Sequence, residues 1–118
     1  MNTQQLKIIL LLIFSLLSTQ VNSQTLAVVA NTWPPYVDEA LEDKGLAMKI
    51  VTTAFERAGY TAQVRIEKWE RALEGSKLGV YDVAGAIWKT DSRKQKLLYS
   101  EPYLKNNIVF IARENSEI

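Results

Sequence analysis

Residues 81–103, YDVAGAIWKTDSRKQKLLYSEPY, decide how the chain is read. The run 81–87 is apolar and carries no long charged side chain after Asp82, which suits a strand buried on both faces of a parallel sheet. It stops abruptly. Thr90 and Asp91 are good helix N-cap residues, and the polar DSRKQK run backed by Leu97 and Leu98 predicts a short helix. A strand that feeds a helix N-terminus turns free N–H groups and the positive end of a helix dipole beyond the sheet edge. That is an anion site in outline. Arg93, three residues past Thr90, offers a planar two-pronged donor matched to a carboxylate, and Trp88 adds a flat apolar wall. The competing reading makes DSRKQK a solvated surface and Arg93 an ordinary surface arginine. The rest of the chain arbitrates.

Outward from this stretch, residues 1–23 (MNTQQLKIILLLIFSLLSTQVNS) follow the three-part plan of a secretory signal peptide. Lys7 precedes a ten-residue apolar run at 8–17 that is short for a bilayer span, and small polar residues follow. Cleavage after Ser23 is expected, with an uncleaved anchor as the other possibility. There is no cysteine, so neither a thioether-linked lipid nor a disulfide is available, and the exported product is expected to be soluble and held by its core alone. Removing residues 1–23 takes away Lys7 and no acid, so 14 basic and 13 acidic groups become 13 and 13. Such balance, without a basic block, argues against a nucleic-acid partner. The chain also has no histidine, which removes the commonest general base, the commonest zinc ligand and every His-based triad. Residues 24–118 are long enough for one small domain.

That domain opens on LAVVA at 26–30, a first strand buried on both sides. The following NTWPPY at 31–36 contains two prolines, which predict a stiff extended loop holding Trp33 and Tyr36. Those rings either form a ligand wall or cover the edge of the core. Acidic residues 38–43 read as an exposed turn. Gly45 then leads into LAMKIVTTAFERAGY, where Leu46, Ile50 and Phe55, with Ala47, Val51, Ala54 and Ala58, fall at helical spacing; Gly59 ends the helix. Residues 61–66 alternate Ala62, Val64 and Ile66 against Thr61, Gln63 and Arg65, so a half-exposed second strand follows. Strand, helix, strand with short links predicts a parallel βαβ unit. KWERALEGSK at 68–77 is a second helix, broken by Gly75 and Gly79. Trp69 in its first turn faces either the core or a ligand crevice, with the core favoured. Pro102 stiffens residues 99–103, and NIVFIA at 107–112 reads as another strand.

The expected fold class is therefore α/β: an open, mostly parallel sheet with helices on both faces. In such sheets the ligand lies beyond the carboxyl ends of the strands, where the loops at 33–36 and 88–93 both emerge.

The WPPY loop, the WERALEG helix followed by G-x-YD and a strand, the T-x-x-R turn of Thr90 and Arg93, and SEPY leading into NIVFIAR together form a specific pattern. Over about residues 25–117 the chain resembles the first lobe of the bacterial extracellular solute-binding proteins of family 3, the periplasmic amino-acid receptors of ABC transporters. That resemblance implies a type II periplasmic-binding-protein-like (Venus flytrap) lobe, here incomplete, because family members cross to a second lobe just after the strand that 107–112 matches. It implies that Arg93 grips the ligand's α-carboxylate, that Trp33 packs over the ligand, and that residues 86–88, Ala86 to Trp88, offer backbone groups. Trp88, Tyr36, Thr90 and Trp69 complete the expected ligand-binding set.

Two departures from the family pattern stand out. Many relatives carry a hydroxyl where this chain has Ala86 and Trp88, and GLAMKI lacks the acid of the G-F-D pattern. The ligand class therefore widens from an amino acid to another small carboxylate or an aromatic, cationic or peptide-like solute. The resemblance further implies a periplasmic location, a membrane permease as partner of the full-length form, a monomer, no cofactor and no catalysis. A sensory input domain is the alternative, and a periplasmic enzyme of the dehydratase or peptidoglycan-cleaving kind, with Glu101 or Glu67 as its acid, is a more remote one.

Overall fold

The computed structural model describes residues 23–115 together with residues 2, 4 and 5. The export signal expected at 1–23 falls almost entirely outside the described residues. A three-stranded sheet organises the domain, with β1 (Thr25–Ala30) at its centre, β2 (Thr61–Ile66) on one side and β3 (Val83–Ala84) on the other. Both pairings are parallel. β1 and β2 run in register over their whole length, from Thr25 opposite Thr61 to Ala30 opposite Ile66.

Successive side chains of a strand point to opposite faces, and β1 uses both. Val28 and Ala30 pack with Ala47, Met48 and Val51 of the helix α1 (Leu46–Arg57), while Val29 packs with Ala72 of the helix α2 (Trp69–Lys77) and with Tyr81. Val28 and Val29 are both 0% exposed, which is why LAVVA is apolar without alternation. β2 alternates between exposed and half-buried positions, as its sequence predicts. The open α/β sheet with a helix on each face is thus present.

Several local expectations need correction. In α1 the buried residues are Ala47, Met48 and Val51, whereas Leu46 and Ala54 are exposed. The predicted apolar stripe was rotated by a residue, because the sheet lies against a narrow arc centred on Met48. Gly59 does end the helix, at φ 86°. Gly75 does not break α2 but sits inside it, against the ring of Tyr81. Its lack of a side chain lets the Tyr81 ring come close to the helix, and the break comes at Gly79, φ 75°.

The third strand is shorter than the run 81–87. Asp82 N–H donates to Ala27 O at 2.9 Å and Asp82 Oδ2 accepts from Ala27 N–H at 2.8 Å, so its backbone and side chain together fasten the start of β3 to β1. The run 107–112 forms no strand, and Ile108, Val109, Phe110 and Ile111 are at least 69% exposed. Apolar β-branched residues favour extended backbone, but a strand also needs a neighbouring backbone to pair with, and none among the described residues lies alongside.

The loop after β1 is also not extended. Trp33 and Val37 exchange backbone hydrogen bonds of 2.6 and 2.9 Å, and Tyr36 N–H donates to Trp33 O at 2.9 Å. A tight turn results, with the Pro34–Pro35 peptide cis, and its apex is tied to α1 by Ala47 N–H donating to Tyr36 O at 3.0 Å.

Candidate ligand-binding site

The turn 33–37 leaves the carboxyl end of β1, and residues 86–88 leave that of β3, the strand next to it. Neighbouring parallel strands deliver their following loops to the same edge, so residues more than 50 positions apart in sequence meet there. Trp33 and Trp88 meet edge-to-face with ring centroids 5.8 Å apart at 73°, and Trp33 and Tyr36 stand 5.2 Å apart at 50°. Tilted and edge-to-face contacts of this kind favour the ring quadrupoles and hold the side chains in place. Together with Ala86, Tyr103 and Lys105 these rings line a cavity of about 410 Å³, within the size range of small-ligand sites.

Arg93 lies in the helix α3 (Asp91–Lys94), which Thr90 caps by accepting from the Arg93 N–H at 3.4 Å. The expected cap is therefore present. The expected cradle of free helix N–H groups is reduced, because α3 is a single turn and its cap already takes one of them. The Arg93 side chain instead finds two fixed points: Nη1 donates to Trp88 O at 2.9 Å, and the guanidinium carbon sits 4.8 Å from the centre of the Trp69 ring. Stacking on an indole and donating to a carbonyl both suit a planar, weakly hydrated cation. Only one of the five N–H donors of the guanidinium is used in that bond.

Trp69 is half-buried and lies in neither cluster of core residues. It stands between the two expected places, lining a small hollow with Val29, Ala30, Ala72 and Leu73 at the edge of the core while Arg93 stacks on its ring. Trp69 lines a second hollow with Asn31, Thr32 and Glu67. Arg93 thus links the walls of two adjoining hollows rather than lining the 410 Å³ cavity, and Thr90 stays on the outer side with it. Trp33, Tyr36, Ala86 and Trp88 do line the cavity.

Reading the sequence missed Tyr103 and Lys105. Tyr103 lay in the SEPY segment without a role attached, and its hydroxyl donates to Gly85 O at the end of β3. Although Tyr103 is 42% exposed overall, burial around its hydroxyl raises its pKa from the ordinary 10.0. Of the two glutamates weighed as acids, Glu67 accepts from Tyr81 Oη at 3.4 Å and pairs with Arg71 at 3.6 Å. Glu101 is exposed on the rim of a separate groove. Neither faces the aromatic cavity. Among the described residues no group of three or more His, Cys, Asp or Glu could hold a metal ion.

The family of bacterial extracellular solute-binding proteins, family 3, has a model that matches residues 26–118. No curated protein and no solved structure matches. The matched span runs from Leu26 in β1 past α3 and takes in every residue that lines the cavity. The chain belongs to the bacterial extracellular solute-binding proteins, family 3.

Proposed function

We propose that the chain binds a small carboxylate, an amino acid or a related acid, outside the cytoplasmic membrane and serves its delivery to an ABC-type permease. In this reading residues 1–23 direct export and residues 24–118 form the first lobe of the binding domain. Arg93 anchors the carboxylate, Trp33, Tyr36 and Trp88 enclose the body of the ligand, and the backbone at Ala86 supplies polar contacts. Thr90 and Trp69 hold the arginine in place. No covalent step is required of any of them.

The observation that carries this reading is the placement of Arg93. An arginine fixed by an indole face and a carbonyl loses little further freedom when it grips a ligand, and it stands beside two tryptophans at the carboxyl ends of adjacent parallel strands. A solvated surface arginine has neither restraint.

The test is calorimetric titration of the purified chain with pooled amino acids and small organic acids, followed by tryptophan fluorescence for the members that bind. Arg93→Ala is expected to weaken binding by about tenfold or more, the loss typical of a charge-assisted hydrogen bond, and Arg93→Lys to restore part of it. Unchanged affinity in Arg93→Ala would remove the arginine from the site.

A further inference from the structure

The hydrogen-bonding inventory of the 410 Å³ cavity is lopsided. Three of the residues that line it have their backbone carbonyls already engaged. Trp33 O accepts from the N–H groups of Tyr36 and Val37, both at 2.9 Å, and Tyr36 O accepts from Ala47 N–H at 3.0 Å. Trp88 O accepts from Arg93 Nη1 at 2.9 Å and from Tyr99 Oη at 3.4 Å. Among the described residues no aspartate or glutamate lines the cavity, and the one charged residue that does is Lys105. Asn106 and Asn107 also line it, but a primary amide both donates and accepts and so discriminates neither way.

An α-ammonium group entering between the aromatic walls would meet the engaged carbonyls of Trp33, Tyr36 and Trp88 and a lysine, and no carboxylate among the described residues. It would lose hydration without gaining an anionic partner. A carboxylate would meet Lys105, with the Arg93 guanidinium just behind the wall that Trp88 forms. The remaining surface comes from the rings of Trp33, Tyr36, Trp88 and Tyr103, whose faces and edges suit another flat ring.

Resting on the carboxylate-binding reading above, we infer that the cavity takes an arylalkanoate, a flat-bodied carboxylate without an amino group, in preference to the α-amino acid with the same side chain. Lys105 is then a specificity-determining residue, because it sets the sign of the charge that the cavity accepts.

The test compares four probes on the purified chain: 3-phenylpropionate, L-phenylalanine, phenethylamine and butyrate. Each is titrated to on the order of 10 mM, because a cavity open to solvent binds weakly, and is followed by calorimetry and by tryptophan emission excited at the red edge. The expected result is saturable binding of 3-phenylpropionate that is about tenfold or more tighter than that of L-phenylalanine, with no saturation by phenethylamine or butyrate. Lys105→Gln, at an exposed position, should leave the circular dichroism spectrum unchanged and reduce the preference for 3-phenylpropionate over L-phenylalanine.

Equal or tighter binding of L-phenylalanine would overturn the inference while leaving a carboxylate receptor in place, provided that Arg93→Ala still weakens it. Saturation by butyrate at comparable concentration would overturn the aromatic part. Failure of all four probes, where the pooled acids do bind, would overturn the inference alone. Failure of probes and pools together would remove the carboxylate-binding reading as well.

Discussion

Gly45 immediately precedes the first helix and packs against the aromatic turn, and replacing it with alanine should be the most damaging small change near the site. Its backbone sits at φ 96°, ψ 167°, a region essentially restricted to glycine where any side chain costs about 1–3 kcal/mol. A Cβ there would also stand 2.6 Å from Tyr36 O and 2.8 Å from Tyr36 C. These are backbone atoms and cannot rotate aside, so the turn itself must move, which adds about 1–3 kcal/mol by analogy with overpacking. The same carbonyl accepts from Ala47 N–H, and displacing it forfeits a hydrogen bond of about 1 kcal/mol. The expected total is about 3–7 kcal/mol, a large part of the ~5–15 kcal/mol that holds a small domain together.

Gly59→Ala supplies the control. It too has positive φ, 86°, but a Cβ there meets nothing within 4 Å, so only left-handed strain of about 1–2 kcal/mol applies. Urea denaturation followed by circular dichroism separates the two. At a slope of about 1–3 kcal/mol/M the variants should differ in midpoint by on the order of 1 M, and Gly45→Ala should also shift the emission of Trp33. Coincident midpoints would show that close approach to Tyr36 does not govern Gly45, and would dissolve the claim that this glycine positions the turn.

Two further outcomes follow from the packing. Gly75→Ala improves helix propensity by about 1 kcal/mol, yet it should destabilise by about 1–3 kcal/mol, since its Cβ would lie 2.5 Å from the ring of buried Tyr81; a rise in melting temperature would refute that contact. The raised pKa of Tyr103 means that the folded state retains its proton above pH 10.0, where the unfolded chain begins to lose it. Stability is accordingly undiminished below that pH and falls as pH rises through the raised value. Melting temperatures of wild type and Tyr103→Phe measured up to about pH 11 should show the wild type losing the steeper share, and parallel curves would show that the hydroxyl titrates as if it were in water.

Much of the architecture was legible from local pattern. LAVVA announced a strand buried on both faces because two helices need one apolar side each, and TAQVRI announced a half-exposed one by strict alternation. Gly59 and Thr90 marked a helix end and a helix start through backbone chemistry that involves only their immediate neighbours. Arg93, Trp33, Tyr36 and Trp88 could be nominated from the rule that loops after adjacent parallel strands share an edge, and Ala86 from the family resemblance.

What lay beyond the pattern depends on partners distant in the chain. The core face of α1 turned on Met48 because the position of the sheet, not the helix period, selects the arc that is buried. NIVFIA has every local mark of a strand and forms none, since pairing needs a second backbone that no propensity can supply. Trp69 stands at the edge of the core with Arg93, 24 residues later, stacked on its ring, a contact that its own helix does not foretell. The occupied carbonyls of Trp33, Tyr36 and Trp88 were likewise invisible in sequence, because whether a carbonyl is free is a property of the folded neighbourhood and not of the residue that bears it.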